Sequence, residues 1–314
     1  MAAGNVLPRG GVGGSADGIE SSVAAALAQA SAALAAAGIA GPRAEARLLL
    51  AAIIAGGAAA VTGYPERRLS AAEAAAFAAL VGRRAAREPL SHILGRREFW
   101  SLDFQVSAAV LDPRPDSETL VQAVLEALPD RTRPWRLLDL GTGSGCLLLS
   151  LLSELPRAHG LGIDASPEAL SLAGANALAL GLGPRADFRR LDWNEPGWTA
   201  GLIPPADIVI ANPPYIPSGE IAALAPEVAR FEPRAALDGG GDGLDAYRRL
   251  APALAGLVAA GGFVAFEVGA GQAAAVAAIL AASARCLSVP EVRADLAGIA
   301  RCLLWRRPGE DRRD

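Results

Sequence analysis

The chain of 314 residues predicts an α/β protein. A parallel sheet covered by helices on both faces is expected, preceded by a helical bundle and joined to it by a β-hairpin. Three observations carry that expectation. Strand-like and helical runs alternate from Arg136 onward, the earlier segment is rich in Ala, Leu, Arg and Glu with little β-branching, and a short aromatic stretch lies between them. With 52% hydrophobic and 20% charged residues, wholesale disorder is excluded.

Taken in order, residues 1–20 are glycine-rich and read as a disordered tail, without the charged-then-apolar layout of a signal peptide. Residues 21–90 form the expected helical domain, cut into short helices at Gly38 to Pro42, Gly56-Gly57 and Gly63 to Pro65; Ser70 and Glu73 supply a capping box. Phe99, Trp100, Phe104, Val106 and Val110 alternate with polar residues and predict a β-hairpin linker over 91–115. The main domain follows over 116–307, with strands expected at 136–140, 161–164, 187–191, 207–211 and 262–268. Between them run helices ending at Leu155 and spanning 167–180 and 243–259. Residues 308–314 close the chain, and the arginines after Leu304 read as a solvated tail. Uncharged Ala-rich runs at 48–64, 251–266 and 268–284 fall short of the ~20 apolar residues that a membrane span needs, so no membrane association is expected.

Composition prunes the chemistry. The 29 basic residues are all arginine, which excludes Schiff-base catalysis, a Walker phosphate loop and a Ser-Lys dyad. Only His92 and His159 are available and no G-x-S-x-G elbow occurs, so a serine hydrolase triad is unsupported. Cys146, Cys286 and Cys302 are too scattered for a zinc ribbon or a disulfide framework and fit a reducing cytoplasm; no metal is expected. A net charge of −4 argues against nucleic acid as the main partner.

The strongest local signal is Leu137-Leu138-Asp139-Leu140-Gly141-Thr142-Gly143-Ser144-Gly145, an apolar strand entering a glycine turn before a helix. Glycines let a ligand approach the backbone, and the helix N-terminus offers free N–H groups. A dinucleotide fingerprint would place its third glycine where Cys146 stands; D-x-G-x-G-x-G is instead the pattern of S-adenosylmethionine (AdoMet) methyltransferases. Asp164 ends the next strand, about 20 residues on, where a ribose hydroxyl acceptor is expected. Ser166 and Pro167 then serve as N-cap and first residue of the following helix. Trp193, after the third strand, is open to two readings: a face for adenine, or core.

The fourth strand runs into Asn212-Pro213-Pro214-Tyr215. The two prolines stiffen the turn and lack N–H groups, so the corner is rich in acceptors, namely the Asn212 side-chain oxygen and the Pro213 carbonyl. Tyr215 adds a flat wall. Such a corner suits a planar NH2 group. Cys146 reads as packing, Glu267 as structural, and Arg114 and Asp116 as braces for the hairpin.

Further stretches sharpen the reading: Pro89-Leu90-Ser91-His92-Ile93-Leu94-Gly95, Arg97-Glu98-Phe99-Trp100, Pro113-Arg114-Pro115-Asp116-Ser117-Glu118, Phe231-Glu232-Pro233-Arg234-Ala235-Ala236-Leu237 with 240–245, and Asp295-Leu296-Ala297-Gly298. Together with NPPY they make residues 89–306 similar to the peptide chain release factor glutamine methyltransferases (HemK/PrmC). Ser91-His92 departs from that pattern, where a tyrosine is common. The resemblance implies a Rossmann-like AdoMet-dependent methyltransferase sheet and methylation of the glutamine amide in the Gly-Gly-Gln motif of release factors. It implies AdoMet binding by Gly141, Thr142, Gly143, Ser144, Gly145, Asp164, Trp193 and Asn212. Substrate binding falls to Asn212, Pro213, Pro214 and Tyr215, with Asn212, Pro213 and Tyr215 catalytic. The expected enzyme is a cytoplasmic monomer with release factors as its partners. The alternatives are a glutamine methyltransferase of a large-subunit ribosomal protein, an adenine-N6 DNA methyltransferase, and a non-catalytic AdoMet-sensing adaptor.

Overall fold

A computed structural model describes residues 21–309 other than Ile203, so the expected tail at 1–20 lies outside the described residues. The chain divides into two compact units between Arg87 and Glu88.

The first unit is helical: α1 (Val23–Ala36), α2 (Pro42–Ala51), α3 (Gly57–Gly63) and α4 (Ala71–Ala85). Alanine-rich faces allow close packing, and Leu34, Leu49, Leu50 and Phe77 fill the interior. The capping box forms as the sequence predicts: Ser70 Oγ accepts the Glu73 N–H, while Glu73 accepts the Ser70 N–H. Arg84 is buried and donates to Glu45, a charge pair held between α4 and α2.

The second unit opens with α5 (Leu90–Leu94) and a hairpin of β1 (Arg96–Phe99) and β2 (Leu102–Gln105). Its turn places Trp100 and Ser101 in left-handed backbone, φ 53° and 57°, which costs energy at residues with a Cβ. Carboxylates hold it there: Trp100 N–H donates to Glu118 (2.8 Å) and Ser101 N–H to Glu98 (2.9 Å). Phe99 and Phe104 meet edge to face and belong to the core of this unit.

After the short 3-10 turn Pro115–Ser117 come α6 (Glu118–Ala127), β3 (Arg136–Leu140), α7 (Cys146–Glu154), β4 (His159–Asp164), α8 (Pro167–Ala179), β5 (Ala186–Arg190) and β6 (Ala206–Ala211). The chain continues through α9 (Pro226–Phe231), α10 (Asp245–Leu250), α11 (Leu254–Leu257), β7 (Val258–Glu267), α12 (Ala273–Ser283), β8 (Glu291–Ala294) and β9 (Ala300–Arg306). The strands form one seven-stranded sheet in the order β5-β4-β3-β6-β7-β9-β8. Alternate residues of each central strand face opposite cores, as period-two geometry demands: Leu137, Ile208 and Ala265 on one side, Leu138, Val209 and Val264 on the other.

Three expectations are corrected. The sheet is mixed rather than parallel, because β9 inserts antiparallel between β7 and β8. Of the arginines after Leu304, Arg306 and Arg307 are not a solvated tail: Arg306 ends β9, next to buried Trp305, and Arg307 donates to the carbonyls of Ala255 and Val258, while Arg312, Arg313 and the rest of the expected tail from residue 310 lie outside the described residues. The helix expected over 243–259 breaks near Pro252, and strand β7 already begins at Val258.

The chain winds outward from β3 in both directions, to β4 and β5 on one side and to β6 and β7 on the other. That reversal opens a crevice at the carboxyl ends of β3 and β6, the position where open α/β sheets bind ligands.

Candidate active site

The register of β3 on β6 pairs Leu140 with Ala211, so Gly141 and Asn212 leave adjacent strands side by side. Between them opens a cleft of about 740 Å³, a size suited to a nucleoside-bearing ligand. Its walls include Gly141, Thr142, Gly143 and Ser144 from the glycine turn, Asp164 from the end of β4, Trp193, and Asn212 and Pro214 from the corner. Gly145, Pro213 and Tyr215 are not on that wall. Gly145 faces Leu149 and Ala173, Pro213 is buried, and Tyr215 packs against the core.

The glycine turn is shaped by what a side chain would hit. At Gly141, φ is +78° and a Cβ would lie 2.9 Å from the Trp193 ring. Trp193 therefore packs against both the glycine turn and the core, and it lines the cleft as well. Asp164 braces the turn from the next strand, accepting the N–H of Gly143 and of Ser166 at 2.9 Å each. Ser166 caps α8, as expected, by accepting the Ala169 N–H. Asn176, fully buried on α8, ties the same turn to the hairpin, donating to the Ser144 and Gln105 carbonyls while accepting the Gln105 N–H. Cys146 is the first residue of α7 and borders the cleft rather than only packing; burial pushes its thiol up to about 12 and keeps it protonated.

The corner is held from behind. Gln272 donates to the Tyr215 carbonyl (2.9 Å), and the N–H of Ile216 donates to Leu237 while Gly239 donates to Ile216. A Cβ at Gly243 would fall 2.3 Å from the Tyr215 carbonyl oxygen, so the backbone approach there requires glycine. The Phe231-to-Leu237 stretch and the glycines after it thus serve as the scaffold of the corner. Burial raises the Tyr215 hydroxyl to about 12, so it remains a phenol.

Asn212 itself donates Nδ2–H to Ser117 Oγ at 3.2 Å, while its Oδ1 is buried without a partner among the described residues. A buried acceptor left open beside a cleft is an invitation to a ligand donor. Arg114 lines the cleft and pairs with buried Glu232, and Asp116 pairs with Arg301 of β9, which also binds Asp295. The two side chains read as hairpin braces therefore join the corner's surroundings to more distant segments.

Two carboxyls beneath the site are driven up to about 7, both mainly by burial: Asp139, which accepts from Thr142 Oγ1, and Glu267. Both values lie above those of the unfolded chain, so the native state holds extra protons between pH ~4 and ~7. Stability is expected to fall as pH rises through that window, by about 3 kcal/mol for Glu267 and about 4 kcal/mol for Asp139. Thermal melts from pH 5 to 8 should show a shallower decline in Glu267→Gln than in the wild type; parallel declines would contradict the assignment.

Comparisons with known proteins identify relatives of both parts of the chain. A PrmC N-terminal domain family matches residues 25–95, and a methyltransferase domain family matches 133–231. The chain is 49% identical over 271 residues to the release factor glutamine methyltransferase of Rhodospirillum rubrum, spanning 86% of this chain and 81% of the relative. A solved release factor-specific protein-(glutamine-N5) methyltransferase from Alicyclobacillus acidocaldarius is 28% identical, with a TM-score of 0.40 over 65% of this chain and 99% of that one. The catalytic domain of hMettl16, at 16% identity and a TM-score of 0.53 over 74% of this chain and 83% of that one, shares the fold.

Proposed function

The chain belongs to the release factor glutamine methyltransferase family, and from that premise we propose its reaction in full. It transfers a methyl group from S-adenosylmethionine to the side-chain amide nitrogen of the glutamine in the Gly-Gly-Gln motif of a cytoplasmic release factor.

The residues present fit that methyl donor: a cleft of suitable volume, a glycine turn that admits backbone contact, a carboxylate at the second strand and an indole face. When bound, the donor supplies an electrophilic methyl on a sulfonium. Gly141 to Ser144 would receive its amino-acid end, Asp164 would accept from the ribose hydroxyls, and Trp193 would offer its ring to the adenine. Asp164 retains acceptor capacity beyond the two N–H groups it already holds, since a carboxylate has about four lone-pair sites.

A glutamine amide nitrogen is a weak nucleophile because its lone pair is delocalised into the carbonyl. Asn212 Oδ1 accepts one of its hydrogens from the cleft wall, and the carbonyl of Pro213, buried between the wall residues Asn212 and Pro214, is the second acceptor once the substrate enters the corner; the two aim the nitrogen and stabilise the positive charge that grows on it. Pro214 stiffens the corner and Tyr215 backs it. As the N–CH3 bond forms and the S–CH3 bond breaks, the nitrogen becomes strongly acidic and gives its extra proton to water, so no strong base is needed, which suits a chain with two histidines.

One observation carries this reading: the buried, unpartnered Asn212 Oδ1 beside a glycine-lined cleft. The test is incubation of the protein with labelled S-adenosylmethionine and, separately, release factor, large-subunit ribosomal proteins and DNA. Peptide mass spectrometry is expected to find one added methyl on the Gly-Gly-Gln peptide of the release factor. Label confined to ribosomal protein or DNA would replace the proposal.

A further inference from the structure

Asn212 works only in one of its two amide orientations. With Oδ1 toward the cleft it offers an acceptor to an incoming NH2 group; flipped by 180° it presents a donor and repels that group. Ser117, its partner at 3.2 Å, cannot choose between them. A serine hydroxyl accepts from Nδ2 as readily as it donates to Oδ1. Something must direct the hydroxyl proton away from Asn212.

Glu267 is placed to do so. The register pairs Ala211 of β6 with Phe266 of β7, so Asn212 and Glu267 follow one another's positions on adjacent parallel strands. Glu267 is 1% exposed, Ser117 is 3% exposed, and one Glu267 carboxyl oxygen has no partner among the described residues. Neighbouring positions on paired strands put the carboxyl beside the Asn212 carboxamide and the Ser117 hydroxyl bonded to it; burial pushes its pKa up, and these two polar neighbours pull it partly back. Around it stand Arg301, Asp116, Tyr215 and Tyr247, whose hydroxyl is committed to the Glu267 backbone carbonyl.

The geometry points to Ser117 and Glu267 as positioning residues that fix the orientation of the Asn212 carboxamide, an inference that rests on the corner's role in binding the substrate amide. Glu267 accepts a hydrogen bond from the Ser117 O–H, Ser117 turns a lone pair to Nδ2–H, and Oδ1 is left as the free acceptor. A carboxyl keeps an acceptor oxygen in either protonation state, so the direction of the relay persists across pH. Ser117 belongs to the stretch Pro113-Arg114-Pro115-Asp116-Ser117-Glu118, which in this light has three duties: Glu118 holds the hairpin turn, Asp116 engages β9 through Arg301, and Ser117 orients the reacting corner.

The test is steady-state methylation of release factor by the full chain, with S-adenosylmethionine affinity measured alongside. Ser117→Ala and Glu267→Met are each expected to lower kcat about tenfold while leaving cofactor affinity unchanged, the size of one misdirected hydrogen bond. Glu267→Gln, which keeps an acceptor oxygen, should recover most of the rate lost in Glu267→Met. Added to Asn212→Ala, the Ser117→Ala change should cost no more than about twofold further, because residues acting as one unit are not additive. Wild-type kcat in Ser117→Ala, or a full second tenfold loss in the double variant, overturns the positioning role. An Asn212→Ala enzyme with wild-type activity would instead overturn the reading of the corner itself. Ser117→Ala decides the matter alone if Glu267→Met does not fold.

Discussion

Asn212→Ala is expected to cut kcat for release factor methylation by about 10²- to 10³-fold, the range found when one preorganised acceptor or donor at a reacting centre is removed. Affinity for S-adenosylmethionine should stay within about threefold, since the cofactor end of the cleft is built mainly from other residues. The reasoning is directional. The amide nitrogen becomes a nucleophile only as its hydrogens are polarised, and Oδ1 is a buried acceptor with no competing partner among the described residues. Removing it leaves the substrate NH2 facing apolar carbon, with the growing charge uncompensated in a site of low dielectric. Single-turnover rates at saturating cofactor, with calorimetric cofactor binding, separate the two quantities. Equal catalytic efficiency in the variant, or a loss wholly in cofactor affinity, would contradict the role.

What was legible in the chain follows from how local each feature is. Strand β3 at Arg136–Leu140 lies where its apolar run predicts, and the Ser70 and Ser166 caps form because the cap and its target N–H are three residues apart. The glycine turn and the NPPY corner are likewise contiguous, and the sheet register brings both to one cleft. The features missed are those made by residues far apart. Strand β9 reads poorly because Arg301 interrupts its apolar pattern, and its charge is compensated by Asp116 and Asp295, whose proximity no local pattern reveals. Glu267 looked structural for the same reason. Its partners Ser117 and Asn212 come from other elements, and only the pairing of β6 with β7 places them together. Asn176 was invisible as well, a polar residue inside an Ala-rich helix that satisfies two backbone segments at once. The signal available was chemical: an asparagine among alanines on a helix expected to face the core needs a reason, since burial without partners is costly.

Gly141→Ala should abolish cofactor binding at working concentrations, raising Kd by about 10²-fold or more. Two effects combine. The residue sits at φ +78°, where an L side chain costs about 1–2 kcal/mol. Its Cβ would also lie 2.9 Å from the Trp193 ring, closer than van der Waals contact permits, so the indole must move or the turn must open. Either response displaces a wall of the cleft, because Gly141 and Trp193 both line it. A control isolates the backbone cost: Gly181 has φ +70° with nothing near its missing Cβ. Gly181→Ala should therefore lose about 1 kcal/mol of stability and leave cofactor affinity unchanged. Calorimetric titration of S-adenosylmethionine into both variants distinguishes a shaped cradle from a merely strained turn. Should Gly141→Ala bind the cofactor as well as Gly181→Ala does, contact between the glycine turn and the indole has no part in shaping the pocket.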